Sequence, residues 1–236
     1  MSRQQPEQQA PPVQRLRVRY TKRGRMRFSS HRDVSRAVER AVVRAAVPMA
    51  YSSGFHPHPR ISYAGASPTG AASEAEYLEL GLAEVRDPDE VGRELDAALP
   101  DGLDVAAVAE SPGGSIADLL QASEWEIALP DLAAGDVAAA VDAFLATESV
   151  EVERMTKKGM RTFDCRAAVV RLGTAAADPV SLDLVLRHTV PAVRPDDVLG
   201  GIRSVTGLDV PAHPLLTRLA QGPLDEATAE VGDPLA

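Results

Sequence analysis

A chain of 236 residues, 44% hydrophobic but only 4% aromatic, has the length of one large domain or two small ones and must build its core from small side chains, chiefly Ala and Val. The formal charge of −9 conceals two populations: residues 1–65 carry 13 Lys and Arg against 3 Asp and Glu, and residues 66–236 carry 12 against 31. A basic front end attracts phosphate while the remainder repels it. No run of about 18 apolar residues is present, and the Gln- and Pro-rich start lacks the apolar stretch of a secretory signal, so a cytoplasmic protein without a membrane partner is expected. Cys165 is the one cysteine. It leaves no internal disulfide, no cysteine zinc site and no self-contained iron–sulfur cluster.

Residues 1–12 are polar and proline-rich, with nothing to bury, and read as a disordered leader. Leu16, Val18 and Tyr20 then alternate with Arg15, Arg17 and Arg19, the period of a strand with one apolar face and one row of guanidinium groups. Thr21 to Gly24 reads as a turn and Met26–Phe28 as a short extended piece. Ser30 and Asp33 form a capping box, the shorter acid replacing Glu, for a helix over His31–Ala46 that Pro48 stops. Val34, Ala37, Val38, Ala41, Val42 and Ala45 make its apolar stripe, while Arg32, Arg36, Arg40 and Arg44 form a cationic ridge. A loop over Tyr51–Arg60 places His56 and His58 each before a proline, which favours extended backbone. Ile61–Ala64 and Ala75–Leu82 read as strands around a Gly- and Ser-rich link. Asp87 caps a helix over Pro88–Leu99, and Leu103–Ala109 is a further strand. The order β-α-β-β-α-β predicts an α+β fold, a ferredoxin-like plait over residues 13–111 with two helices on one sheet face and the other face free.

Pro112 to Ser115 marks a boundary, with a short linking helix over Ile116–Ala122. A second, related α+β unit is expected over residues 116–220. Its strands are Trp125–Leu129, Val150–Met155, Thr162–Leu172 and Val180–His188, and its helices Ala133–Ala146 and Pro195–Val205. Thr156-Lys157-Lys158-Gly159 echoes Thr21-Lys22-Arg23-Gly24, a slight hint of duplication. Residues 221–236 read as a loose acidic tail.

Lys22, Gly24, Phe28, Ser30, His31, Asp33, Arg40, Pro48, Tyr51, Ser52, Gly54, Phe55, Pro57, Pro59 and Arg60 make up a distinctive set: a basic-Gly turn, a Ser-His-x-Asp helix start, an Arg-rich helix ending at Pro and a Gly-Phe-x-Pro-x-Pro-Arg loop. With Ser73, Glu76 and Tyr77 they closely resemble the bacterial radical SAM-linked proteins, a domain of unknown function, over about residues 15–220. The resemblance is specific in the first half and diffuse in the second. His31-Arg32-Asp33 departs from the apolar residue that members commonly carry between His and Asp. The resemblance implies a radical SAM enzyme as partner, one that would use S-adenosylmethionine and an iron–sulfur cluster. With a single cysteine this chain lacks the CxxxCxxC run that such chemistry needs, so it is expected to bind no cofactor itself.

The leading functional expectation is a non-catalytic RNA-binding accessory protein that acts with a radical SAM enzyme in tRNA or rRNA modification. Its contacts would be Arg15, Arg17, Arg19, Lys22, Arg23, Arg25, Arg27, Arg32, Arg36, Arg40, Tyr51, His56, His58 and Arg60, with cations on phosphate and Tyr51 and Phe55 on bases. Phe55 beside Gly54 is equally readable as a core anchor. RNA is expected rather than DNA, because the free face of a plait suits single strands. One alternative is a metal-independent endoribonuclease with His31 as general acid or base, His56 or His58 as its counterpart, and Lys22 or Arg60 stabilising the phosphorane. Against it, His31 reads as a residue that packs in the first helical turn or hydrogen-bonds the loop. Another is a protein-docking module for the radical SAM partner, without nucleic acid. A metal on His56 and His58 lacks an evident third ligand.

Overall fold

The computed structural model describes residues 8–156, 159–175, 178–211 and 214–236. The chain forms two compact units that part after Asp118.

In the first unit β1 (Gln14–Lys22), α1 (His31–Arg44), β2 (Ile61–Ala64), β3 (Ala72–Leu82), α2 (Pro88–Ala98) and β4 (Val105–Glu110) follow one another. The strands lie in the order β4-β1-β3-β2, each pair antiparallel, which is the ferredoxin-like arrangement. Alternation along β1 and β3 sends Leu16, Val18, Leu78, Leu80 and Leu82 into one core with Val34, Val38, Ala41 and Val42 of α1 and Val91 and Leu95 of α2. Ser30 starts α1: its hydroxyl accepts the Asp33 N–H at 3.3 Å, and its own N–H donates back to Asp33 Oδ2 at 3.3 Å. The Ser30 hydroxyl and N–H hold the Asp33 carboxyl below the usual carboxylate range, helped by the positive charges of Arg36 and Arg32. The helix ends at Arg44 rather than Ala46, since Ala46 already has φ 51 ahead of Pro48. Met26–Phe28 is not extended. It belongs to a 3-10 turn over Gly24–Phe28, closed by the Met26 N–H on the Arg23 carbonyl at 3.0 Å and the Ser29 N–H on the Met26 carbonyl at 2.9 Å.

The sheet face away from the helices is only partly free. Gly113 and Gly114 fold onto it and accept the Arg17 guanidinium at 2.8 and 3.3 Å, and Ile116 of the short helix α3 (Ile116–Leu119) is buried. The leader is described from residue 8 onward, and its residues 1–7 lie outside the described residues. Residues 8–12 carry no regular structure, yet the Gln9 N–H donates to Ser53 Oγ at 2.9 Å.

The second unit repeats the arrangement. β5 (Ala122–Ala128), α4 (Ala134–Leu145), β8 (Val169–Ala175), β9 (Ser181–Arg187), α5 (Pro195–Thr206) and β10 (Leu215–Gly222) build an antiparallel sheet ordered β10-β5-β9-β8. Between α4 and β8 stands a separate hairpin, β6 (Glu151–Thr156) with β7 (Gly159–Asp164). The single strand expected over Thr162–Leu172 is therefore two, divided where Asp164 Oδ1 accepts the N–H groups of Val150 at 3.0 Å and Arg166 at 2.9 Å and turns the chain. Thr156 and Gly159 lie in this inserted hairpin, whereas Thr21 and Lys22 end β1, whose topological counterpart is β5. The echo between the two segments is thus not the trace of duplication, and its Lys157 and Lys158 lie outside the described residues. The loose tail expected from 221 is instead folded: β11 (Leu224–Asp225) pairs with β12 (Glu230–Val231), and the Gly232 N–H donates to the Pro223 carbonyl at 2.8 Å.

Cys165 is fully buried in this unit, and burial, reinforced by the negative charges of Asp164 and Asp197, pushes its thiol up to about 11. Thiolate is the reactive form, so Cys165 should resist an aromatic disulfide reagent near neutral pH and react fully after unfolding in urea, a difference read by absorbance. Among the described residues no helix is long and apolar enough to cross a membrane.

Candidate nucleic-acid interface

The basic residues of the first unit do not converge on one surface. Strand alternation places Arg15, Arg17 and Arg19 on the sheet face opposite the helices, while Arg32, Arg36 and Arg40 lie on the outer side of α1. Two sets of cations result, on opposite sides of one sheet.

On the strand side, carboxylates and carbonyls hold most of the charge. Arg15 donates to Glu79 Oε1 at 2.7 Å, and Arg17, only 2% exposed, reaches Glu79 Oε2 at 3.7 Å as well as the two glycine carbonyls. Arg19 is half-buried opposite Tyr77. Lys22, also 2% exposed, donates to the carbonyls of Pro68 at 3.1 Å and Ser67 at 3.4 Å. The Ser67 N–H in turn donates to buried Glu76 Oε2 at 3.2 Å, so Lys22, Ser67 and Glu76 pin the link before β3. Arg17 and Lys22 are therefore corrected from surface contacts to internal anchors: cross-strand register supplies each with acceptors that bury it. Nor is Lys22 placed to stabilise a phosphorane. Arg23 is exposed but forked onto Glu74, with Asp104 at 3.6 Å.

On the helix side the picture differs. Arg25, Arg32, Arg36 and Arg40 are exposed, and among the described residues no hydrogen bond or ion pair holds their side chains. Arg44 is tied to the Ala98 carbonyl at 2.9 Å and Arg27 to the Gly70 carbonyl at 2.8 Å. Phe28, 68% exposed, lies between Arg25 and the helix start, with the Arg27 guanidinium 5.7 Å from its ring centre. Phe28 is thus an exposed ring beside a guanidinium, a candidate stacking surface that sequence reading did not single out. The missed signal is the Gly24 turn: its φ of 52 starts a 3-10 turn that turns Phe28 outward, where an extended piece would leave its direction open.

His31 is exposed at the first turn of α1 and meets the Tyr63 ring edge-on, 5.1 Å between centres at 87°. Burial pushes the Tyr63 hydroxyl up to about 12, with the Ser35 side chain acting in the opposite sense, while the hydroxyl itself donates to the Ser35 carbonyl at 3.5 Å. Among the described residues no contact joins His31 to His56 or His58, so no acid–base pair is assembled around it.

The loop from Tyr51 to Arg60 is a small hairpin on the β2 edge. Tyr51 pairs with Pro59, the Ser52 N–H donates to the His58 carbonyl at 2.9 Å, and the His58 N–H returns to Ser52 Oγ at 3.0 Å. Gly54 holds φ 131 at its tip, a conformation that side-chain-bearing residues rarely adopt. Phe55 beyond it is 64% exposed, so it is not a core anchor, and Tyr51, His56 and His58 are exposed as well. The Arg60 Nε donates to the Tyr51 carbonyl at 3.1 Å. Among the described residues no three His, Cys, Asp or Glu side chains come together to hold a metal ion.

Residues 15–195 match the model of the bacterial family described as "Uncharacterized protein conserved in bacteria (DUF2344)". The chain belongs to this family. The match spans both plaits up to the first residue of α5, so the family takes in the two-unit architecture rather than the basic half alone. None of the curated proteins matches the chain. Among solved structures it is similar to an unknown protein from Galdieria sulphuraria, at 16% identity over 88% of this chain and 99% of that one, with a TM-score of 0.25. It is also similar to the first two RRM domains of the yeast poly(U) binding protein Pub1, at 9% identity over 87% and 99%, with a TM-score of 0.23. A third likeness is to DyPB from Rhodococcus jostii RHA1, at 11% identity over 95% and 97%, with a TM-score of 0.22. Likenesses of this size carry no functional argument for the family.

Proposed function

We propose that the protein is a non-catalytic, cytoplasmic RNA-binding accessory factor that presents single-stranded tRNA or rRNA segments to a radical SAM enzyme. The observation that carries this reading is the set of four exposed arginines, Arg25, Arg32, Arg36 and Arg40, whose side chains make no hydrogen bond or close ion pair among the described residues, in a unit where the fold pairs Arg15, Arg17, Arg23 and Arg86 with carboxylates. Guanidinium groups free of internal partners are the ones available to exchange counterions for phosphate. Phe28 supports single strands over duplex, because an exposed ring stacks on bases only where they are unpaired. The partner's reaction is left to the enzyme.

Filter binding of single-stranded tRNA- and rRNA-derived oligonucleotides to wild type and to Arg36→Glu/Arg40→Glu tests the reading. Binding by wild type that the double variant loses is expected; no affinity in either protein overturns it. Phe28→Ala should weaken the same complex by about 1–3 kcal/mol, the usual worth of one stacked base, with little change in its salt dependence. Equal affinity in Phe28→Ala and wild type removes the ring from the interface.

A further inference from the structure

On the sheet face away from α1, two adjoining cavities of about 370 Å³ each share Arg15, Ser62 and Glu79 as a common floor. Each lies within the size range of small-molecule sites, about 300–1,000 Å³. The hairpin carrying His58 and Arg60 walls one, and the Gly114–Ala117 segment that begins α3 walls the other. Close approach fixes the first wall: a Cβ on Gly81 of β3 would stand 3.1 Å from the Pro12 Cβ and 3.2 Å from the Arg60 Cβ, and the Gly81 N–H donates to the Arg60 carbonyl at 2.8 Å.

The charge of this groove is unbalanced. Glu79 is the one carboxylate among the residues lining the two cavities, and its oxygens are already used by Arg15 at 2.7 Å, by the Ser111 hydroxyl at 2.9 Å and, at 3.7 Å, by Arg17 beneath. Arg60 spends its Nε on the Tyr51 carbonyl, and its two Nη groups have no acceptor among the described residues. Arg15 and, from beneath, Arg17 contact this carboxylate, and Arg60 lines the same cavity, with His58 and the hydroxyls of Ser52 and Ser62 alongside. The lining carries one net positive charge and buried Arg17 beneath it adds a second, which together match a phosphomonoester, carrying about −1.5 to −2 near neutral pH, better than a single carboxylate. Ile116 and Ala117 in the second cavity offer apolar surface to whatever the phosphate carries.

We infer that this groove binds a phosphomonoester with a sugar- or nucleoside-sized body. Arg60 and the outer edge of Arg15 hold the phosphate, and the body lies along β2 toward Ile116. The site is independent of the RNA reading, since Arg36 and Arg40 lie on the helix layer across the sheet. Arg15, His58 and Arg60 thereby leave the proposed RNA surface for a small-ligand role.

Isothermal titration of the full chain with ribose 5-phosphate, AMP, adenosine, inorganic phosphate and succinate tests the assignment. AMP or ribose 5-phosphate should bind at least about tenfold more tightly than adenosine or succinate, the scale of one charge-assisted hydrogen bond, and inorganic phosphate should compete. Arg60→Gln and Ser62→Glu, the latter an exposed β2 position that tolerates a polar side chain, should each weaken binding by at least about tenfold. Arg36→Glu/Arg40→Glu should bind these ligands as wild type does. Whether ribose 5-phosphate or AMP binds more tightly tells a sugar phosphate from a nucleotide. Failure of every phosphorylated probe to bind wild type, succinate binding as tightly as AMP, or undiminished binding by Ser62→Glu overturns the inference without touching the RNA reading.

Discussion

Replacing Glu79 with Ala should destabilise the first unit by about 3–5 kcal/mol, the usual cost of leaving one member of a buried ion pair without the other. Arg17 is the reason. Its side chain is 3% exposed against 9% for Glu79, and its charge stays buried whether or not the carboxylate is there. The carbonyls of Gly113 and Gly114 would remain as acceptors, but neither carries a full charge. The Ser111 hydroxyl and Arg15 would lose the same partner, which loosens the segment that folds onto the sheet. Amide hydrogen exchange along β1 and β3 is the suitable measurement, because it reports this sheet without requiring the two units to unfold together. An Arg17→Met/Glu79→Leu variant, which removes both charges, should recover much of the loss, since buried pairs are often replaceable by apolar residues of like volume. Protection in Glu79→Ala within about 1 kcal/mol of wild type, the range of a surface pair, would show that the pair does not close this face.

Reversing Arg36 and Arg40 to Glu should flatten the salt dependence of RNA binding as well as weaken it. Each phosphate contact on a single strand contributes about 0.7 to the slope of log affinity against log salt, so two lost contacts lower that slope by about 1.4. The affinity itself should fall at least about tenfold at low salt, and the gap should narrow as salt rises and screens the introduced carboxylates. The stability of α1 should change little, because both positions are solvent-exposed and Ser30 and Asp33 hold the cap without them. A weaker complex with an unchanged slope would mean that the two arginines shape the protein rather than touch phosphate.

The first plait was legible because its signals are local. The alternation from Arg15 to Tyr20, the Ser30–Asp33 box, the stripe along α1 and the Asp87 cap each lie within a few residues and match the elements found. The second plait was harder to read. Its last strand, Leu215–Gly222, has a mixed burial pattern in place of clean alternation, and an inserted hairpin interrupts the order of its elements. Phe28 shows the same limit on a smaller scale, since its direction depends on whether three residues turn or extend.

By itself the sequence determined that the front of the chain is basic, that it folds as a β-α-β-β-α-β unit, and that Arg32, Arg36 and Arg40 share one helix face, because 3.6-residue and two-residue periods are properties of neighbouring positions. Tertiary structure alone decided which of the basic residues remain available. Arg15 and Arg17 meet Glu79, Arg23 meets Glu74 and Lys22 meets the carbonyls of Ser67 and Pro68, all through the register of β1 on β3 and the loops it brings near. Acceptors 45 to 64 positions away in the chain, as for Lys22 and Arg15, follow from how strands pair and not from any local pattern. A buried cation must find an acceptor, whereas one on the outside of a helix need not, and that difference separates anchors from ligands in this fold.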